Sequence, residues 1–226
     1  MRHGLSSLLA LSIVASSAMV EGTGTTQVMC PEDMVHATPT VCIDRYLWPN
    51  IEGEKPLLGL SALPEDGDMA KGVIMDADAL CASVGKRVCT ASEWIKACRG
   101  PDHAHYPWGD ELPKYLPGSG DGICNYDKWF RAYDEEKIDR RDPKHMAELD
   151  QSEPAGNRPG CMSASGAYDM IGNGEQWVRC PKAGRYGWCL VGRFWADPKS
   201  CDYKITAHAP KFHWYTTTAR CCQDVE

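Results

Sequence analysis

Apolar and polar positions fall into helical spacing most clearly over ASEWIKAC, where Trp94, Ala97 and Cys98 make one inward stripe. Thr90 opens this helix as N-cap, and Glu93, three residues on, completes a capping box by reaching back to the cap amide. Arg99-Gly100-Pro101 closes it, since glycine accepts a left-handed cap and proline cannot continue a helix. A shorter helix precedes it, capped by Asp76, running through Val84 with Leu80 and Cys81 inward, and ended by Gly85. Val41 to Tyr46 is apolar and β-branched and predicts a strand, whereas Pro49 to Lys71 is rich in proline and glycine and predicts loop. Within that loop, Asn50 to Lys55 is expected near any ligand cleft, because loops on a rigid scaffold carry recognition. Tyr106-Pro107-Trp108-Gly109 reads as an aromatic turn laid over the core. The charged span Asp127 to Glu153 predicts a solvated surface with a helical turn.

The chain starts with Arg2, an apolar run from Leu8 to Ala15, and small residues up to Ala18. The run is short of the roughly 20 apolar residues that span a bilayer, so residues 1–18 are expected to be a secretory leader and 19–27 a flexible mature N-terminus. No later stretch is apolar enough for a membrane helix. What remains, residues 28–226, suits one domain. Net charge is −7, and loss of Arg2 makes it more negative, which disfavours nucleic acid and anionic membranes as partners. Eight Trp, three Phe, 21 Gly and 15 Pro indicate a loop-rich domain with large aromatic anchors.

Twelve cysteines behind a leader point to disulfides, and the even number lets all of them pair. Zinc is the rival, but no two cysteines have C-x-x-C spacing. Cys30 with Cys42, and Cys81 with Cys89, are plausible local staples, and adjacent Cys221 and Cys222 must reach different partners. Connectivity is not fixed by spacing. His103 and His105 fall on one side of an extended segment and hold a metal only with a third ligand. There is no G-x-S-x-G elbow and no phosphate loop.

Taken in order, GKR, T-x-x-E-W, A-C-R-G and Y-P-W-G between Gly85 and Asp110 resemble the hallmark segment of formylglycine-generating enzymes, the sulfatase-modifying factor family. Three further matches follow the same order: Cys42 to Tyr46 with Trp48-Pro49-Asn50, Gly166 to Val178, and Arg220-Cys221. The resemblance covers roughly residues 28–226 and implies a single α+β domain of C-type-lectin-like fold, with twisted antiparallel strands and two helices. It also implies a bridge between Cys98 and Cys221.

In the family, the turn matching Gly172-Asn173 binds calcium through the Asn, a Glu carboxylate and backbone carbonyls. Here Gln176 replaces the Glu and Glu175 the first Trp of G-N-x-W-E-W, so Asn173, with Asn125 at the second calcium region, has two readings: a weakened calcium site, or an Asn that simply holds a left-handed turn. The family's reaction centre is a cysteine pair five residues apart that takes up copper(I), a soft ion suited by two thiolates. Cys201 falls on the second position, but the first is Ala196, and the G-G-S-type turn has become Val191-Gly192-Arg193. Copper is therefore not expected. The iron chemistry of another branch needs a three-histidine helical domain that this sequence lacks. Two readings follow. One is a non-catalytic or altered binding module, secreted or periplasmic, that takes a polypeptide or glycan in the family cleft. The other is a metal-dependent oxidoreductase acting on a secreted protein, with Cys201 as its remaining thiol.

Overall fold

The computed structural model describes residues 28–64, 76–114, 119–127, 142–183 and 185–225. The expected leader and N-terminus, part of the 49–71 loop and most of the charged span lie outside the described residues. Two sheets carry the fold. β1 (Met34–Thr38), β2 (Val41–Asp44), β7 (Cys221–Asp224) and β3 (Arg87–Val88) pair antiparallel in that order, so the chain's last strand sits between two of its first three. The second sheet runs β5 (Trp188–Val191), β4 (Glu175–Arg179), β6 (Thr217–Ala219). β4 and β5 are antiparallel, but β4 and β6 are parallel, a departure from the all-antiparallel expectation. The long connection over residues 192–216 permits it, since parallel neighbours need a crossover.

The helices form where local chemistry puts them. α1 (Ala77–Ser83) starts at Asp76, whose side chain accepts from the Ala79 amide. α2 (Ala91–Arg99) has both halves of the capping box: Thr90 accepts from the Glu93 amide and Glu93 from the Thr90 amide. Gly100, at φ 64°, ends it, and a Cβ there would lie 2.7 Å from that of Ala164, so only glycine fits. Trp94, Ala97 and Cys98 are fully buried against β1 and β2. A third helix, α3 (Pro143–Leu149), follows Asp142. The turn at Tyr106 closes on Gly109 by two backbone bonds, with the Tyr106 and Trp108 rings stacked 5.3 Å apart.

All twelve cysteines pair. Cys30–Cys42 is as expected, but Cys81 joins Cys221, not Cys89, and Cys89 joins Cys222. Neighbours on a strand point to opposite faces. Cys221 therefore enters the cluster beneath α1 with Cys81, and Cys222 the cluster beneath α2 with Cys89. The expected Cys98–Cys221 bridge is replaced by Cys98–Cys201. Cys124–Cys161 and Cys180–Cys189 complete the set. No helix among the described residues is long and apolar enough to cross a membrane.

Candidate functional site

β4 divides two environments because alternate side chains leave a strand on opposite faces. Gln176 points into a closed polar core. Its Oε1 accepts from Trp94 Nε1 at 2.7 Å and from Arg220 Nε at 3.1 Å, and its Nε2 donates to the carbonyl of Asp169 at 3.1 Å. Arg220, also buried, donates to the carbonyls of Asp44 and Tyr168. Burial lowers the Arg220 guanidinium to about 10, and burial pushes Asp169 up to about 6 despite the nearby Arg220 charge.

Asn173 stands at the entrance to β4 at φ 60°. Its Oδ1 accepts from Asn125 Nδ2 and from the Glu153 amide, both at 2.8 Å, while its Nδ2 donates to the Glu153 carbonyl. Gly172 beside it would place a Cβ 2.5 Å from the Asn125 carbonyl oxygen, which accounts for the Gly-Asn pair as a tight crossing of two segments. These residues do not fit calcium as a chelating set. Gln176 Oε1 faces a guanidinium, and Asn173 Oδ1 is already shared by two donors. Of the three expected side-chain oxygens, only Asn125 Oδ1 lacks a partner, and none carries charge.

Glu175, next on the strand, points the other way and was not anticipated as a site residue. It is 5% exposed, its Oε1 lies 3.3 Å from Arg193 Nη1, and its Oε2 accepts from Thr216 Oγ1 at 3.4 Å. Burial pushes it up to about 7, with Arg193 and Thr216 opposing the rise. Arg193 sits on the turn after β5, where Gly192 (φ 83°) would bring a Cβ within 2.7 Å of the Met170 carbonyl oxygen. Arg193 itself takes φ 58°, uncommon for a side chain of this size. Phe194 and Tyr203 lie against its guanidinium, at 5.2 and 5.9 Å. The signal in the sequence is that the resemblance matches Glu175 and Arg193, both charged, to a Trp and a small polar residue of the family's motifs.

Ala196 follows on the same turn, its carbonyl accepting from the Asp127 amide at 3.0 Å. Cys201 is fully buried, and its sulfur is bonded to Cys98 on α2. The two positions therefore offer no thiolate, and cuprous ion does not fit here. Asn50 is a structural residue. It turns at φ 64° after a cis Trp48-Pro49 bond, accepts from the Tyr46 amide and donates to Asp33 and Asp44. The one close grouping of three His, Cys, Asp or Glu side chains among the described residues, Cys30, His36 and Cys42, has its sulfurs joined to each other.

Residues 72–209, more than half of the chain, match the sulfatase-modifying factor enzyme 1-like domain, and the chain belongs to that family. Among solved structures, a crystal structure of CarF is similar at 16% identity, over 82% of this chain and 87% of that one, with a TM-score of 0.50. That likeness concerns the fold. The variable protein 1 of Treponema denticola is 14% identical over 61% of this chain and 47% of its own, at a TM-score of 0.36. No curated protein matches.

Proposed function

We propose that this chain is a binding module on the sulfatase-modifying-factor fold, working in a secreted or periplasmic setting, with a polypeptide or glycan as ligand and without the family's copper-dependent oxidation. The observation that carries this reading is the Cys98–Cys201 bond beside Ala196. An oxidase of the family type needs two free thiolates on that turn, and this one presents a half-cystine and a methyl group. Six disulfides support an oxidising compartment, where such bonds form and persist. What the turn presents in place of the thiols is Arg193 flanked by Phe194 and Tyr203, a charged group between aromatic faces. Such a surface suits recognition, because aromatic and arginine side chains dominate the energetics of binding sites.

The test is retention of cuprous ion by the unreduced protein against a soft chelator. None should remain. One tightly held ion per chain, lost in Cys201→Ser, would restore the metal-dependent oxidoreductase reading.

A further inference from the structure

We infer that Arg193 anchors a carboxylate on the ligand, either an acidic side chain of a polypeptide or a free organic acid, and that Glu175 occupies the guanidinium when no ligand is bound. The inference rests on the binding-module reading and names the chemistry its ligand must carry.

A guanidinium offers five N–H donors in a planar fork, suited to grip a carboxylate by two bonds. In this structure Glu175 meets it at Nη1 alone, at 3.3 Å. Among the described residues no protein group accepts from Nε, which is buried. Buried donors ordinarily have partners, so the unpartnered Nε asks for one. The side chain still reaches solvent, at 21% of its surface, while Glu175 behind it keeps 7%. The turn holds Arg193 in a left-handed conformation, the kind of strain that gathers at ligand sites. The aromatic rings of Phe194 and Tyr203 lie to its sides, and Tyr203 is itself exposed. The fork already holds a glutamate side chain, and a second carboxylate, better aligned, is the chemically equivalent replacement.

Glu175 is the internal competitor. The charged group facing it among the described residues is Arg193, from the turn after β5, and the polar one is Thr216, from the segment entering β6. A ligand carboxylate must displace Glu175 from Nη1, so removing the Glu175 charge favours the ligand.

The experiment labels arginine with nitrogen-15 in the full-length protein and follows the Arg193 Nε–H resonance. Four probes are titrated: acetyl-glycyl-glutamyl-glycine amide, its glutaminyl counterpart, propionate and a neutral oligosaccharide. A shift with the glutamyl peptide but not the glutaminyl one supports the inference, with peptide as source. A shift with propionate of equal affinity supports it with a small acid as source. Glu175→Gln should bind the glutamyl peptide more tightly than the natural protein, because the internal carboxylate no longer competes for Arg193. Arg193→Lys should weaken binding while its remaining spectrum shows the fold intact. No shift with either carboxylate overturns the inference. A shift with the oligosaccharide or the glutaminyl peptide instead also overturns it, yet leaves the binding-module reading standing.

Discussion

Cys98 and Cys201 are joined sulfur to sulfur with their Cα atoms 5.8 Å apart, which ties the last turn of α2 to the loop between β5 and β6. The Cys201 amide adds a bond to the His105 carbonyl, so the loop is pinned on two sides. A sulfur placed this way packs the core and offers no free thiolate.

Thiol labelling of the unreduced protein should accordingly find no free cysteine. Reduction should lower the melting temperature sharply. The two bonds to β7 close sequence separations of 140 and 133 residues, and either one alone contributes about 5 kcal/mol in the chain-entropy account, but they enclose nearly the same loop, so removing one leaves the other holding most of it. Replacing Cys81, Cys89, Cys221 and Cys222 together by Ala should therefore destabilise more than Cys30→Ala with Cys42→Ala, whose separation is 12. Equal losses in calorimetry would contradict the entropic assignment.

How much could be read from the chain follows the range of the forces involved. The capping box at Thr90 and Glu93 is written within four residues, and the structure has it as expected. The Gly172-Asn173 turn was equally visible, but its purpose was not: its close partner, Asn125, is 48 residues away. Disulfide partners depend on β7 inserting between β2 and β3, a pairing across most of the chain that spacing does not encode. Glu175 and Arg193 each resemble surface charges until β4 and β5 bring them together in a buried place. The family resemblance located that turn through its substitutions, without saying what the substituted residues do.

Stability should fall as pH rises from about 5 to about 8. Glu175 and Asp169 are raised from 4.5 and 3.8 to about 7 and about 6. A carboxyl raised on folding favours the native state while protonated, so its contribution is complete below the unfolded value and is lost as pH passes the folded one. Each accounts for up to roughly 3 kcal/mol at one pKa unit per 1.36 kcal/mol. The carboxylates held low by cationic partners, Asp33, Glu93 and Asp224, act below that window. Urea midpoints at both ends of the range measure the slope. Glu175→Gln should flatten it, and a midpoint that rises with pH in the natural protein would reverse the sign argued here.

Gln176→Glu, which restores the family's carboxylate, should destabilise and confer no calcium response. The amide Nε2 donates to the Asp169 carbonyl, and a carboxylate oxygen in its place would confront that carbonyl instead. Leaving the acceptor unsatisfied in a buried site costs roughly 1–3 kcal/mol. Melting curves with calcium and with EDTA should coincide for the natural protein and for the variant. A calcium-dependent rise in either would show that the oxygens around Asn173 rearrange to chelate.

The last prediction concerns the family reaction itself. Purified protein, incubated with copper, oxygen and a sulfatase-type cysteine peptide, should leave the peptide's mass unchanged after reduction. Ala196→Cys alone should not create cuprous affinity, because the second sulfur stays bonded to Cys98. Ala196→Cys combined with Cys98→Ser is different, since it releases Cys201 and sets two thiols five residues apart on the turn. That double variant should hold cuprous ion more tightly than either single one, because two thiolates suit the soft ion where one does not. Formylglycine from the natural protein, lost in Cys201→Ser, would mean that the Cys98–Cys201 bond opens during turnover and that the chain is an oxidase after all.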